Sequence, residues 1–144
     1  MTSAITIRDL EDGERAWANA LYQAIRFEVT PPDAVALVAE VDGARVGLGR
    51  LVAHAPGVIE LGGIWTDEAV RGRGLARAMV NALLARRERT DDRDRLWCIP
   101  FAHLSAFYQS FGFAVGVPPW PPSIAAKVVH CAEEALPDVV VLVR

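Results

Sequence analysis

The stretch between residues 58 and 84, VIELGGIWTDEAVRGRGLARAMVNALL, constrains the fold more than any other part of the chain. An apolar run typical of a strand leads through a polar turn into the loop RGRGLA, residues 71–76, and an amphipathic helix follows. The start of a helix presents backbone N–H groups without intrahelical acceptors, at the positive end of the helix dipole. Glycines let a large anion approach this backbone, and the arginines add positive charge. The stretch therefore predicts a pyrophosphate cradle between the strand and the helix.

The spacing of this loop excludes two common phosphate-binding motifs. A Walker loop requires a Gly-Lys pair, and the chain contains none. A dinucleotide fingerprint requires G-x-G-x-x-G, but after Gly72 and Gly74 the third glycine position holds Arg77. A nucleotide- or dinucleotide-binding module is therefore disfavoured. A glycine-rich turn with solvated arginines is the alternative to a ligand-binding loop.

The hydrophobic pattern of the remaining chain predicts a mixture of strands and helices around this segment. Asp42-Gly43 lies between two strand-like runs and predicts a hairpin, while Asp12 is placed to cap the first helix. The helix after the loop predicts that the next strand lies parallel to strand 58–66. The predicted strands are 5–7, 34–41, 45–54, 58–66, 95–99, 113–117 and 139–143, and the predicted helices are 13–27, 75–89, 104–111 and 123–136, with a polar linker at 90–94.

The composition is typical of a compact folded chain, with 52% hydrophobic and 23% charged residues. The formal net charge of −3 argues against a general nucleic-acid binder. Since no signal-peptide core and no run of 18 apolar residues occurs, we expect a cytoplasmic protein that does not span a membrane, folded as one domain over residues 1–144. Cys98 and Cys131 lack the spacing of a metal site, so we expect buried free thiols and no metal.

Two signatures in the chain resemble those of a known family. Arg71, Gly74 and Ala76 fill the pattern [Q/R]-x-x-G-x-[G/A], which resembles the coenzyme A loop of the GCN5-related N-acetyltransferase (GNAT) family. Tyr108, separated by three residues from Gly112-Phe113, resembles the second signature of that family. The predicted order of strands and helices is also similar to that of the family along the whole chain. The resemblance implies an α/β (α+β) GNAT fold: a mixed, mostly antiparallel sheet of six to seven strands with splayed fourth and fifth strands, flanked by about four helices.

The resemblance also implies how acetyl-CoA would bind. The fourth-strand backbone would hold the pantetheine arm and the thioester, and the amides of the loop would hold the pyrophosphate, with Arg71 and Arg73 beside it. One departure concerns Phe101, which stands where many members carry an asparagine that contacts the cofactor; that contact would be lost, or replaced by His103 or Ser105. The cofactor-binding residues implied in this way are Ile64, Trp65, Thr66, Arg71, Gly72, Arg73, Gly74, Leu75, Ala76 and Arg77.

Acetyl transfer to an amine requires that the amine be deprotonated. An alkylammonium of pKa ~10.4 is deprotonated about once in 10³ molecules at neutral pH, which costs roughly 4–5 kcal/mol. The resemblance places Glu60 as the base, directly or through water, and Tyr108 as the acid that protonates the departing thiolate. The alternatives are a solvated strand carboxylate at Glu60 and a tyrosine packed on the core at Tyr108. His54 and His103 are weaker candidates for the base.

Taken together, the sequence predicts an acetyl-CoA-dependent N-acetyltransferase acting on a primary amine. We expect a small-molecule or amino-acid-like acceptor, because the chain shows no acidic groove that would suit a protein tail. A protein N-acetyltransferase and a non-catalytic acyl-CoA-binding sensor are the alternatives. The oligomeric state is left open, although homodimers are frequent among similar enzymes.

Overall fold

The computed structural model of the chain describes residues 4–87 and 95–144. Within these residues, seven strands form one sheet in the order β1-β2-β3-β4-β5-β7-β6, and four α-helices accompany it. The strands are β1 (Ile5–Asp9), β2 (Val35–Val41), β3 (Ala44–Ala55), β4 (Val58–Thr66), β5 (Arg95–Cys98), β6 (Ala114–Val115) and β7 (Leu142–Val143). The helices are α1 (Arg15–Ala24), α2 (Leu75–Arg86), α3 (Ser105–Gln109) and α4 (Pro122–Glu133).

The strand pairing confirms the predicted mixed, mostly antiparallel sheet. β2 pairs antiparallel with both β1 and β3, and β7 pairs antiparallel with both β5 and β6. β4 and β5 pair in parallel, as expected for two strands joined through a helix. The hairpin between β2 and β3 turns at Asp42 and Gly43, whose φ angles of 53° and 77° are those of a type I′ turn. The predicted hairpin is therefore confirmed.

The described chain divides into two compact units. The first contains residues 4–52 and 63–87, which include β1, β2, α1, α2, most of β3 and the end of β4. An amphipathic α2 buries its apolar stripe here, as its periodicity predicted. The buried residues of this unit include Leu10, Ala18, Tyr22, Val38, Leu48, Leu75, Met79, Val80 and Leu83.

The second unit contains residues 53–62 and 95–144, which include the start of β4, then β5, α3, β6, α4 and β7. Its strands are short and apolar, and its two helices contribute one fully or nearly buried side chain each, Ile124 and Tyr108. The buried residues of this unit include Leu61, Leu96, Cys98, Phe113, Val141 and Leu142.

The first helix differs from its prediction at both ends. Asp12 does not cap it, because Asp12 lies inside a short 3₁₀ turn, Asp12–Glu14, that precedes α1. Instead, the Glu11 N–H donates to Oε1 of Glu14 at 3.0 Å. The helix ends at Ala24 rather than near residue 27, since Arg26 takes a left-handed conformation with φ of 65°.

The last strands are shorter than predicted. β6 and β7 contain two residues each, and Val139 forms only an isolated bridge with Phe101. The helix predicted over 75–89 ends at Arg86, and the polar linker at 90–94 lies outside the described residues. Cys98 is buried as expected, whereas Cys131 is only half-buried; both are free thiols.

No helix in the described part of the chain is long and apolar enough to cross a membrane.

Candidate active site

The parallel pairing of β4 with β5 stops before β4 ends. The last paired residues are Leu61 and Cys98, while β4 continues to Thr66. Two residues after the last pair, Gly63 takes a φ of +61°, which is unusual within a strand. The backbone of Ile64 to Thr66 therefore lies beyond the part of β4 that pairs with β5, as expected for splayed fourth and fifth strands.

Side chains from α1 and β3 hold the backbone at Gly63. The Tyr22 hydroxyl donates to the Gly63 carbonyl at 2.7 Å. A Cβ at position 63 would lie 2.8 Å from both the Tyr22 hydroxyl and Nε of Arg50. Burial raises the pKa of Tyr22 to about 12, although the nearby Arg50 charge opposes this shift, so the hydroxyl keeps its proton and remains a donor. A side chain at position 63 would therefore collide with the Tyr22 hydroxyl, which holds β4 by its hydrogen bond to the Gly63 carbonyl.

Arg50 is a buried charge that the sequence analysis missed. The residue is 3% exposed, its Nη1 donates to Oγ1 of Thr30 at 2.7 Å, and its guanidinium lies 4.2 Å from the centre of the Tyr22 ring. Within residues 4–87 and 95–144 no carboxylate forms an ion pair with it. A cation–π contact and one hydroxyl therefore stabilise this charge. The signal in the sequence is a single arginine within the apolar run VGLGRLV of β3.

The loop before α2 has open space above two glycines. Gly72 and Gly74 take φ angles of +83° and +79°, and a Cβ at either position would meet no atom within 4 Å. The first α-helical hydrogen bond after the loop runs from the Ala78 N–H to the Gly74 carbonyl at 3.0 Å, so the amides of Leu75 and Ala76 precede the helical ladder. The side chains of this loop that carry positive charge are exposed: Arg71, Arg73 and Arg77. This arrangement suits a large anion, because helix-start amides lie beside two glycines with open space and three exposed arginines.

Glu60 lies in the second unit and is 2% exposed. One of its carboxylate oxygens, Oε1, lies 2.8 Å from Nε2 of His54 on β3. The other, Oε2, lies 2.7 Å from Nζ of Lys127 on α4. Burial by itself would raise the pKa of Glu60, but the His54 hydrogen bond and the Lys127 charge outweigh it and lower the pKa. The carboxylate is therefore ionised and buried, and the alternative of a solvated strand carboxylate is wrong.

Lys127 is the second charged residue that the sequence analysis missed. It is a single lysine within the apolar helix segment SIAAKVVHCA, and Glu60 is a single carboxylate within the apolar strand VIELGGI. An isolated charge in an apolar element must find a partner when it is buried. The two signals could therefore have been matched, since the pair carries opposite charges.

Tyr108 lies in the same unit as Glu60 and is 5% exposed. Its ring packs edge-on against Phe107, with ring centres 5.0 Å apart, and against Phe113. Burial raises the pKa of the phenol further above its ordinary value, and the neighbouring Cys98 adds to this shift. The pKa of the Cys98 thiol is raised by its own burial and by the Glu60 charge. Both groups therefore keep their protons at neutral pH, so the Tyr108 phenol has a proton to donate.

The residues at and beside the family's asparagine position have their own contacts. The Phe101 ring stacks on His103 with ring centres 6.0 Å apart and an interplanar angle of 14°. The Ser105 hydroxyl oxygen accepts a hydrogen bond from Nε2 of Gln109 at 2.8 Å. His103 is exposed, whereas Ser105 is half-buried.

A comparison with protein-family models gives one match. Residues 32–115 match a model described as an acetyltransferase (GNAT) domain, which is more than half of the chain. The chain belongs to the GNAT acetyltransferase family. It is therefore an acyltransferase, and the predicted family and fold are confirmed. The matched residues of this GNAT chain include Glu60, the loop at 71–77 and Tyr108, while Lys127 lies beyond them.

Solved structures with the same fold accompany this match. An acyl-CoA N-acyltransferase from Pseudomonas aeruginosa is 19% identical with a TM-score of 0.69, and 99% of each chain is covered. N-acetylglutamate synthase from Neisseria gonorrhoeae, solved with coenzyme A and N-acetyl-glutamate, is 14% identical with a TM-score of 0.69; the alignment covers 100% of the GNAT chain and 35% of the synthase. The ribosomal-protein-alanine N-acetyltransferase from Escherichia coli is 16% identical with a TM-score of 0.66, with coverage of 97% and 92%. No curated protein sequence matches the chain.

Proposed function

We propose that this GNAT chain is an acetyl-CoA-dependent N-acetyltransferase that acts on a primary amine. The observation that carries the proposal is the loop between β4 and α2. Its two left-handed glycines face open space, its helix-start amides precede the helical ladder, and its arginines are exposed. An extended anion such as the diphosphate of a coenzyme A thioester suits such a site.

The donor would lie along the backbone that leads into this loop. The amides from Gly72 to Arg77 would hold the diphosphate, with Arg71 and Arg73 beside it. The backbone of Ile64 to Thr66 lies beyond the pairing with β5, so the polar groups on the side away from β3 are available to the pantetheine arm. In this proposal an amide of Trp65 or Thr66 polarises the thioester carbonyl, because an amide aimed at that oxygen stabilises the negative charge that develops during attack.

The reaction forms a bond between the amine nitrogen and the acetyl carbon and breaks the bond between that carbon and sulfur. The proton of the amine leaves to a base, and we place that base at Glu60 or at a side chain that hydrogen-bonds to its carboxylate. The thiolate takes a proton from Tyr108, and solvent returns a proton to the phenolate. The buried Tyr108 supports this role, since it stays protonated at neutral pH. Positioning of the two reactants contributes on the order of 7–11 kcal/mol, which exceeds the cost of deprotonating the amine.

The proposed acceptor is a small molecule or an amino-acid-like amine. Structural neighbours of the chain include a synthase of N-acetylglutamate and an N-acetyltransferase of a ribosomal protein, so the fold accommodates both kinds of acceptor. We favour the small acceptor because the sequence shows no acidic groove for a basic protein tail.

The experiment has two stages. Calorimetry measures binding of acetyl-CoA, and a thiol-detection assay then measures release of coenzyme A with a panel of primary amines. We expect acetyl-CoA to bind and at least one amine class to release thiol. Binding without thiol release from any amine would favour the acyl-CoA sensor, and no binding at millimolar acetyl-CoA would contradict the proposal.

A further inference from the structure

The carboxylate of Glu60 is too enclosed to take a proton from an acceptor by direct contact. The residue is 2% exposed, and both of its oxygens already have partners at 2.7–2.8 Å. One partner is a lysine ammonium, which favours the ionised carboxylate. An acceptor amine would have to displace His54 or Lys127 to reach either oxygen. The proton of the acceptor amine therefore needs another proton acceptor, one that is hydrogen-bonded to Glu60.

His54 has the geometry of such a proton acceptor. Because the Glu60 carboxylate is ionised, it can only accept, so the His54 ring donates a hydrogen bond from Nε2 to Oε1, which selects the tautomer with the proton on Nε2. In that tautomer Nδ1 carries a lone pair and acts as a proton acceptor. Within residues 4–87 and 95–144 the ring makes no other hydrogen bond, and its side chain is 18% exposed. The ring is thus fixed in one tautomer while its basic nitrogen has no bond within the described chain.

In the described part of the chain, two further titratable groups interact with Glu60, and both agree with this tautomer of His54. Lys127 from α4 holds Oε2 and balances the carboxylate charge, so charge balance does not require a positive charge on His54. Cys98 from β5 is a buried, protonated thiol and adds no charge. The bond to His54 therefore orients the imidazole, and the ionised Glu60 also stabilises the imidazolium that forms when Nδ1 takes a proton.

We propose that His54 is the catalytic base of this acetyltransferase, and that Glu60 is a positioning residue that holds His54 in its reactive tautomer. The inference rests on the proposed function, because it assigns the proton that leaves the acceptor amine. That proton moves to Nδ1 of His54 as the amine nitrogen bonds to the acetyl carbon and the carbon–sulfur bond breaks. The imidazolium then loses the proton to solvent, while Tyr108 supplies the separate proton for the thiolate.

The test compares four variants with the wild-type protein in steady-state assays. A general base contributes about 10²–10⁴-fold to the rate, so we expect His54→Ala to lower kcat at least about 100-fold with little change in the KM for acetyl-CoA. Added imidazole should restore part of the rate of His54→Ala, since it supplies the missing base. His54→Gln keeps a side chain that can donate to Glu60 but cannot accept the proton, and it should lose as much activity. His130→Gln, the matched control on α4, should keep the wild-type rate.

Further readouts separate a catalytic role from a structural one. Glu60→Gln should lower kcat without rescue by imidazole, because His54 is still present and only its orientation is lost. The fall in kcat/KM at low pH should disappear in His54→Gln. Wild-type rates in His54→Gln, or a loss in His54→Ala that imidazole leaves unchanged, would overturn the assignment. If His54→Gln releases thiol as fast as the wild-type protein, this inference alone is contradicted. If the wild-type protein releases no thiol with any amine, the proposed function is overturned and this inference with it.

Discussion

A single added methyl group at Gly74 tests whether the loop before α2 binds the donor. Gly74 has a φ of +79° and open space where a Cβ would lie, and Gly43, in the β2–β3 hairpin, has a φ of +77° and equally open space. Alanine in a left-handed conformation costs about 1–2 kcal/mol at either position. For a chain of 144 residues this corresponds to a fall in Tm of roughly 2–8 °C, and we expect the same fall in both variants.

The two variants should differ in donor binding. At Gly74 the methyl group would occupy the space that the proposed diphosphate needs to reach the helix-start amides. Losing one charge-assisted hydrogen bond costs about 1.5–3 kcal/mol, which corresponds to an increase in the Kd for acetyl-CoA of roughly 10- to 150-fold. At Gly43 the same methyl group lies in a hairpin turn that the proposal does not assign to the donor, so Gly43→Ala should bind acetyl-CoA as the wild-type protein does.

Calorimetric titration with acetyl-CoA measures the Kd. Thermal unfolding measures whether the backbone strain lowers the Tm equally in Gly74→Ala and Gly43→Ala. A second titrant sharpens the comparison: S-acetyl-N-acetylcysteamine carries a thioester but no diphosphate, so its affinity should be equal in the two variants. The reasoning fails if Gly74→Ala and Gly43→Ala bind acetyl-CoA equally well, or if Gly74→Ala weakens both titrants to the same degree.

The remaining predictions concern the acid, the buried ion pair and a surface pair. Tyr108→Phe should lower kcat about 10²-fold and leave the Kd for acetyl-CoA nearly unchanged, and equal rates would reduce Tyr108 to a packing residue. Lys127→Met should lower the free energy of unfolding in urea by about 3 kcal/mol, because one partner of a buried pair is removed, and adding Glu60→Gln to the same chain should recover most of that loss. The Arg8 guanidinium, 2.7 Å from Glu14, lowers the pKa of Glu14 to about 2. The free energy of unfolding should therefore be higher in wild type than in Glu14→Gln by its full amount above pH ~4.5, and this difference should vanish as the pH falls towards 2. A difference that persists at pH 2 would contradict this.

The parts of the fold that local sequence determines were predicted well. β4 spans the predicted residues 58–66, and α2 begins at the predicted Leu75, because a glycine-rich turn and an apolar run define these boundaries within a few residues. The Asp42-Gly43 turn was predicted for the same reason. These features depend on conformational preferences of neighbouring residues, which a single sequence contains.

The features that depend on distant partners were predicted less well. β6 and β7 each keep two residues, since the length of a short strand depends on how far its neighbour continues beside it. Likewise, the burial of Glu60 depends on Lys127, which lies 67 positions later and reaches it through the placement of α4. Apolar periodicity locates a strand but does not say which charge will meet another across the fold.

The packing at Gly63 has a consequence for engineering this chain. Tyr22 and Arg50 both fill the volume that a side chain at position 63 would need. A substitution at position 63 should therefore be tolerated only together with a substitution at position 22 or 50. A library that randomises position 63 alone should return glycine. Variants that reshape β4 should emerge only when a shorter residue replaces Tyr22 or Arg50 in the same gene, so the geometry of β4 and its packing against α1 and β3 would have to be redesigned together.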